Sequence, residues 1–529
     1  MKPRNPQPAS HQKAPGKLKP QAPFDRIHEQ PPLAKPSEGR EPERKVYPAG
    51  RSPKPTRPQP AHPPRAGAGF GALINRRAAD RLRAGHLWVY ASDIESIELP
   101  EAASANPPAL LPVADSRGLL LGTALYSPTS QIALRLVSRE AIDEPAWLRL
   151  LAQRLRLAIL RRKSLLDDQT DSCRLCFSEA DELPGLVADK YGNLVILQLL
   201  AKGLDSAAVR ETCVRVLREE LSPAAILERP DPRMRELEGL GAPNLEPLFA
   251  AEGAALAAST QFHLNGLLFQ YDADSGQKTG AFLDQRDNYA AARKWAQTLA
   301  AKWTGGGRAL DVCCYQGGFA LHLAQVCAQV TGIDASRSSL EVAERNFAAN
   351  RQRMKAEVDW VAGDAFQILR DWSGSGESFD TIVLDPPAFA KTRRAVEGAL
   401  RGYKELNLRA LKMLRPGGLL VTCSCSHHVG WADLEAAVAA AALDAGRRVR
   451  LLERRGGPLG LGSAAAAKII VASVRRRCSQ GSSRAESKHD DFFGASCPGW
   501  LEAGILPILQ LTLPSKMVPC PHFGCQRDA

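Results

Sequence analysis

The sequence predicts an α/β protein whose main part is a mostly parallel, doubly wound sheet, preceded by a β-rich domain and a small α+β domain. Three observations carry this. From about residue 305, short apolar runs alternate with helical periodicities, the rhythm of strands joined by helical crossovers. Residues 70–145 instead hold strand-like runs broken by Gly, Pro and Ser. Residues 146–260 mix a long amphipathic helix, a strand pair and a second helix.

Residues 1–69 form a basic, Pro-rich arm. Within 1–66 stand fourteen Lys/Arg against five Asp/Glu, and 17 of the 38 prolines. Such a segment buries too little apolar surface to offset its ordering entropy, so it is expected to be disordered. It holds most of the net charge of +12, which points to affinity of the arm for polyanions and says little about the folded body. No apolar run is long enough for a transmembrane helix, and the N-terminus lacks a secretory pattern. Twelve cysteines without a disulfide-like framework fit a reducing compartment, so a cytoplasmic location is expected.

In residues 70–145, "HLWVY" (86–90) and "QIALRLVS" (131–138) read as strands. In 146–260, the leucines of "AWLRLLAQRLRLAILRRKSLL" (146–166) recur at helical spacing. "LPGLVADKYGNLVILQLL" (183–200) reads as two strands around an Asp189–Asn193 turn, and 206–221 as a helix. "CRLC" (173–176) is a lone pair of thiols, read as incidental. In 261–477, strands are expected at 308–312, 330–334, 358–364, 380–387, 417–426, 447–453 and 467–474. The tail, 478–529, has four cysteines and no periodicity; "CPHFGC" (520–525) is a weak zinc candidate.

Ligands of such sheets sit at the carboxyl ends of the strands, and the acids cluster there. Asp311 closes the first strand, before a loop in which Gly317 and Gly318 leave room for a ligand backbone approach. Asp334 ends the second strand, about 20 residues on, where a carboxylate accepts from ribose hydroxyls. Asp364 ends the third, followed by Ala365. Three acids repel phosphates and suit a nucleoside with a cationic centre, as in S-adenosylmethionine. The spacing does not match a dinucleotide fingerprint.

"VLDPPAF" (383–389) follows the fourth strand. Pro386 and Pro387 stiffen the loop, Asp385 can grip the polar edge of a base, and Phe389 can stack on it. The fifth strand ends in "TCSCS" (422–426). Strand alternation puts Cys423 and Cys425 on one side; Cys425, nearer the exit, is the preferred nucleophile. A zinc site from Cys423, Cys425, His427 and His428 has poor tetrahedral spacing, and no metal is expected.

With those residues in hand, the chain resembles the RlmI-type family of bacterial S-adenosylmethionine-dependent methyltransferases over about residues 70–475. The resemblance is carried by "HLWVYASDI", "GTALYSPTSQIALRLVS", "EADELPGLVADKYGNLVILQLL", "GQKTGAFLDQRDN" (276–288), "CYQGGFAL", "GDAF", "DPPAF", "RGYKELN" (401–407) and "SCS" (424–426), in the family's order. It implies a Rossmann-like class I methyltransferase sheet behind a PUA-like RNA-binding domain and a middle domain. It also implies S-adenosylmethionine contacts at Asp334, Asp364, Gln285 and Arg286, and Cys425 as nucleophile toward a cytosine of large-subunit ribosomal RNA. The chain departs from the family pattern at Ala388, where Lys is usual, and at His427, where a small residue is usual. The expected partner is ribosomal RNA, with no membrane, and a homodimer is a possible assembly. Two rival readings are a methyltransferase acting on a base nitrogen and an RNA-binding protein without catalysis.

Overall fold

The computed structural model describes residues 71–99, 109–229, 231–241, 246–252, 259–272, 281–300, 303–456 and 468–476. The N-terminal arm and the tail from 478, with its "CPHFGC" motif, lie outside the described residues, as do residues 276–280 of the "GQKTG" motif.

The N-terminal sheet has six strands in the order Trp88–Val89, Leu134–Ser138, Leu120–Tyr126, Leu110–Asp115, Gly71–Ile74, Ile94–Glu98. A helix, Arg76–Arg83, starts where the Asn75 side chain accepts from the Ala78 N–H (2.9 Å) and buries Ala78, Ala79 and Leu82.

The middle sheet has five strands, in the order Phe249–Ala250, Ala225–Glu228, Leu194–Leu199, Leu186–Tyr191, Cys173–Phe177. Helices Glu144–Arg162 and Ala207–Leu221 cover one of its faces. "CRLC" is thus most of a strand, and both thiols are buried. The turn is tighter than the sequence suggested. Gly192 and Asn193 alone connect the two central strands, and Asp189 lies inside a strand, buried and paired with Arg174 (2.9 Å).

The third sheet has seven strands, in the order Glu357–Ala362, Gln329–Asp334, Arg308–Val312, Phe379–Leu384, Leu414–Ser424, Lys468–Arg476, Arg447–Arg455. The first five in that order run parallel; Lys468–Arg476 is antiparallel to both its neighbours. All of Phe379–Leu384 is buried, as expected of a strand covered on both faces.

A hairpin, Ser259–Leu264 with Leu267–Asp272, joins the middle sheet to the third, and a division at residues 260/261 falls inside its first strand. Asn265 and Gly266 both take left-handed backbone at its tip (φ 52° and 79°), the geometry of a two-residue hairpin turn. On one side the His263 N–H donates to Asp171 (2.7 Å). On the other, Asn346 and Asn350 accept from the N–H groups of Gln270 (2.8 Å) and Leu268 (2.9 Å). The sequence hid this piece because its alternation serves two partners at once.

The N-terminal and middle sheets meet at a buried ion pair. Arg135 Nη2 lies 2.7 Å from Glu238 Oε1, with both side chains almost wholly excluded from water. Glu238 also accepts from the Lys202 N–H (3.0 Å). Burial raises the Glu238 pKa, but hydrogen bonds from Ser127, Ser130 and Arg135 outweigh it and hold the carboxyl below its usual range. Glu238→Ala strands a buried guanidinium and is expected to cost about 3–5 kcal/mol in urea unfolding at neutral pH. Because the folded pKa is depressed, this contribution is present above the unfolded value of about 4.3 and lost as pH falls through the folded value. The gap between wild type and variant therefore closes in acid.

Candidate active site

The carboxyl ends of the five parallel strands share one edge of the third sheet, and the predicted residues gather there. Asp311 is fully buried in the strand Arg308–Val312. Its Oδ2 accepts from the Ala320 N–H (2.8 Å) near the start of the helix Gly318–Ala324, while Oδ1 has no hydrogen-bond partner. Burial, then the Asp385 charge, pushes this carboxyl well above the usual range.

The following loop takes left-handed backbone at Cys313 (φ 64°), Tyr315 (φ 51°) and Gly317 (φ 86°). Such positions cost free energy for non-glycine residues and must be held by their surroundings. Asp334, at the end of the strand Gln329–Asp334, does so in part: Oδ2 accepts from the Tyr315 N–H (3.0 Å) and Oδ1 from the Ser336 N–H (2.8 Å). Gly317 and Gly318 also answer to packing. A Cβ on Gly317 would lie 2.3 Å from Leu321 Cδ1, and one on Gly318 2.4 Å from Tyr289 Cζ. Asp364 is exposed and caps the helix Ala365–Ser375, accepting from the Gln367 N–H (2.9 Å).

Gln285 and Arg286 part company. Gln285 is buried, donates to Asp385 Oδ2 (2.9 Å) and accepts from Asn288 Nδ2 (2.7 Å). Arg286, grouped with the cofactor residues on the sequence, instead donates to the Leu165 carbonyl of the middle domain (2.6 Å) and pairs with Asp287 (2.9 Å). Successive helical residues point about 100° apart, so the two cannot both face the sheet edge.

Asp385 leaves the strand Phe379–Leu384, its N–H donating to the Val312 carbonyl (3.1 Å). Burial, then the Asp284 charge, pushes its pKa up to about 7 against hydrogen bonds from Gln285 and Cys423. Pro386 is buried and Pro387 exposed. Phe389 differs from expectation. Its ring packs against Tyr403 (centroids 4.9 Å apart) and Phe366 (5.9 Å), because the chain after the prolines folds back over the helix Val396–Met413. The ring is only partly exposed.

The two thiols of "TCSCS" also separate. Cys423 is buried with Leu419 and Val421 and bonds toward Asp385. The strand ends at Ser424, so alternation no longer governs Cys425, which is exposed with Sγ 3.7 Å from the Pro386 carbonyl. The flanking serines are both buried. The hydroxyls of Ser424 and Ser426 each lie 2.9 Å from the Tyr403 hydroxyl, and Ser426 Oγ accepts from the Ala390 N–H (3.1 Å). Tyr403 therefore ties the Asp-Pro-Pro loop to the cysteine turn. Sequence reasoning assigned it no role: 21 and 23 residues separate it from the serines, and nothing local signals the contact. Among the described residues no group of His, Cys, Asp and Glu side chains is placed to hold a metal ion.

The acids fit the ligand inferred from the sequence. Asp284 raises the pKa of Asp385, and Asp385 and Asp334 raise that of Asp311, so a cation bound among them is favoured. The unpartnered Asp311 Oδ1 leaves an acceptor for a donor group.

Comparison with known proteins agrees. Residues 73–139 match a family model described as a PUA-like domain, and residues 252–464 one described as an S-adenosylmethionine-dependent methyltransferase. A solved methyltransferase complexed with SAH covers 76% of this chain and 100% of its own (TM-score 0.61, 18% identity). A SAM-dependent methyltransferase from Streptococcus mutans gives the same coverage (TM-score 0.60, 18% identity). Fold and site define an S-adenosylmethionine-dependent methyltransferase with a Rossmann-like sheet and an N-terminal PUA-like domain, which sets aside the reading without catalysis.

Two curated relatives named ribosomal RNA large subunit methyltransferase I narrow this further. The Shewanella amazonensis protein is 36% identical over 375 residues, 70% of this chain and 89% of its own. The Erwinia tasmaniensis protein is 35% identical over 371 residues, with the same coverage. The chain belongs to the ribosomal RNA large subunit methyltransferase I family.

Tyr403→Phe removes the hydroxyl that both serines share. Methyl transfer is expected to fall about tenfold or more, since small misplacements of a reacting group are costly. S-adenosylmethionine affinity, read by calorimetry, is expected to stay unchanged, and stability to fall by about 1–3 kcal/mol.

Proposed function

We propose that the protein methylates C5 of a cytosine in large-subunit ribosomal RNA, with Cys425 adding covalently to C6. The observation that carries this is the exposed Cys425 thiol, 3.7 Å from the Pro386 carbonyl, on the edge where Asp385 sits with a pKa near 7. The names of the curated relatives support the ribosomal RNA class.

Asp311, Asp334 and Asp364, with Ala365 and the Gly317–Gly318 turn, would hold S-adenosylmethionine, which supplies an electrophilic methyl group when bound. The Cys425 thiolate forms a bond to C6, and the electron pair of the C5–C6 double bond moves onto the ring. The Asp385 carboxyl, oriented by Gln285, donates to N3 and keeps that charge neutral. Pro386 and Pro387 hold the loop stiff while it grips the base. After C5 is methylated, a base removes the C5 proton, the C5–C6 double bond re-forms as the thiolate leaves, and N3 returns its proton to Asp385. The target nucleotide is flipped or unpaired, because C6 is buried in a stacked helix. The PUA-like domain and the basic arm bind the RNA, the arm in a salt-sensitive, sequence-blind way. A cytoplasmic location belongs to this reading, in keeping with action on ribosomal RNA.

RNA carrying 5-fluorocytidine traps the adduct, because fluorine cannot leave C5 as the proton does. A covalent complex is expected with wild type and none with Cys425→Ala. Methylation of a base nitrogen with no adduct would sink the carbon chemistry. The donating, protonated form of Asp385 is populated below about pH 7, so adduct formation is expected to decline as pH rises through that value. Asp385→Asn abolishes this alkaline limb and slows the reaction by about 10²–10⁴.

A further inference from the structure

Lys468 opens the strand Lys468–Arg476, and the antiparallel register sets it opposite Ser424, one residue before Cys425. Its Nζ donates to the carbonyl of Ser426, one residue after Cys425 (3.3 Å). The ammonium thus spans the cysteine turn, joined to it by backbone pairing on one side and by the side chain on the other. The side chain is only partly exposed, and it lies close enough for its charge to act on Cys425.

Other ionisable groups stand on the elements around this turn. Tyr403 comes from the helix Val396–Met413, Cys423 from the same strand, Asp385 from the opposing loop, and His427 and His428 from the loop that follows. Burial keeps Tyr403 and Cys423 protonated, so neither adds a second negative charge beside a thiolate. Asp385, when ionised, opposes one. Lys468 is the amine of the set, and burial, the larger influence, lowers its pKa while the Cys425 charge raises it.

We propose that Lys468 is a positioning residue that holds the Cys425 sulfur in its ionised, nucleophilic form. The thiol proton goes to solvent, to which Cys425 is exposed, and the ammonium keeps its own proton. The proposal rests on the reading of Cys425 as the nucleophile, but its test needs neither RNA nor S-adenosylmethionine.

The full-length protein is treated with iodoacetamide over a series of pH values, and alkylation of the Cys425 peptide is followed by mass spectrometry. The wild-type midpoint is expected below that of an ordinary thiol, about 8.5. Lys468→Met is expected to move it up by about one unit, a tenfold smaller thiolate fraction near neutrality, with the same plateau at high pH. Lys468→Arg keeps the wild-type midpoint. A merely structural lysine would change the plateau and leave the midpoint alone, and that outcome overturns the proposal. So does a wild-type midpoint at or above the ordinary value, which decides the matter even if Lys468→Met does not fold. If the midpoints shift as expected but no fluorocytidine adduct forms, the base chemistry fails and the ion pair stands.

Discussion

Leu384 pairs with Thr422 where the strands Phe379–Leu384 and Leu414–Ser424 run side by side in parallel. From that register, Asp385 and Cys423 emerge together at the carboxyl end of the sheet, and the chain turns out to Cys425 two residues later. Both strands are buried on both faces, so the register is fixed by two cores at once. Val383, Leu419, Val421 and Cys423 belong to one, and Ile382, Leu384 and Leu420 to the other. A slip by one residue would exchange these sets and displace Cys425 from Asp385.

Holding the register is not enough, because Cys425 and the Asp-Pro-Pro loop both lie beyond the last ladder bonds. Two hydrogen-bonded chains extend the order past the strand ends. Tyr403 bonds both serines around Cys425, and Ser426 in turn bonds the loop at Ala390. On the other side Asp385 is held by Gln285, Gln285 by Asn288, and Asn288 by Arg455 (3.2 Å) of the edge strand. Every link is partly or wholly buried, where an unmade bond costs most. Asp385 and Cys425 are therefore placed by side chains drawn from four separate stretches of sequence.

That distribution explains what the sequence could and could not reveal. The alternating rhythm from 305 onward was legible, since each of the five parallel strands carries an acid or a thiol at or just beyond its carboxyl end. Reading further required knowing which side of an element a residue faces. Gln285 and Arg286 are adjacent, yet one bonds Asp385 and the other the middle domain. Phe389 looks free to stack on a base until the helix bearing Tyr403 is seen beneath it. Strand alternation placed Cys423 with Cys425 because it carried no information about where the strand stops. Tyr403 and Lys468 act at a distance in sequence, and the hairpin at 259–272 divides its alternation between two sheets.

The proposed chemistry asks for two opposite protonation states at one pH: a carboxyl that keeps its proton and a thiol that loses it. In water the order is the reverse, with carboxyls ionising about four units below thiols. The site inverts this through surroundings alone. Asp385 is enclosed beside Asp284 and Asp311, where desolvation and like charge favour the neutral acid. Cys425 lies outside that enclosure, open to solvent, with the Lys468 ammonium bonded to the next residue's carbonyl. Cys423, two residues earlier on the same strand, shows what the enclosure would do to the nucleophile: burial and the Asp385 charge drive its thiol far above its ordinary pKa. The end of the strand at Ser424 is thus the boundary between the two environments: Cys423 packs on one side of it and Cys425 meets solvent on the other.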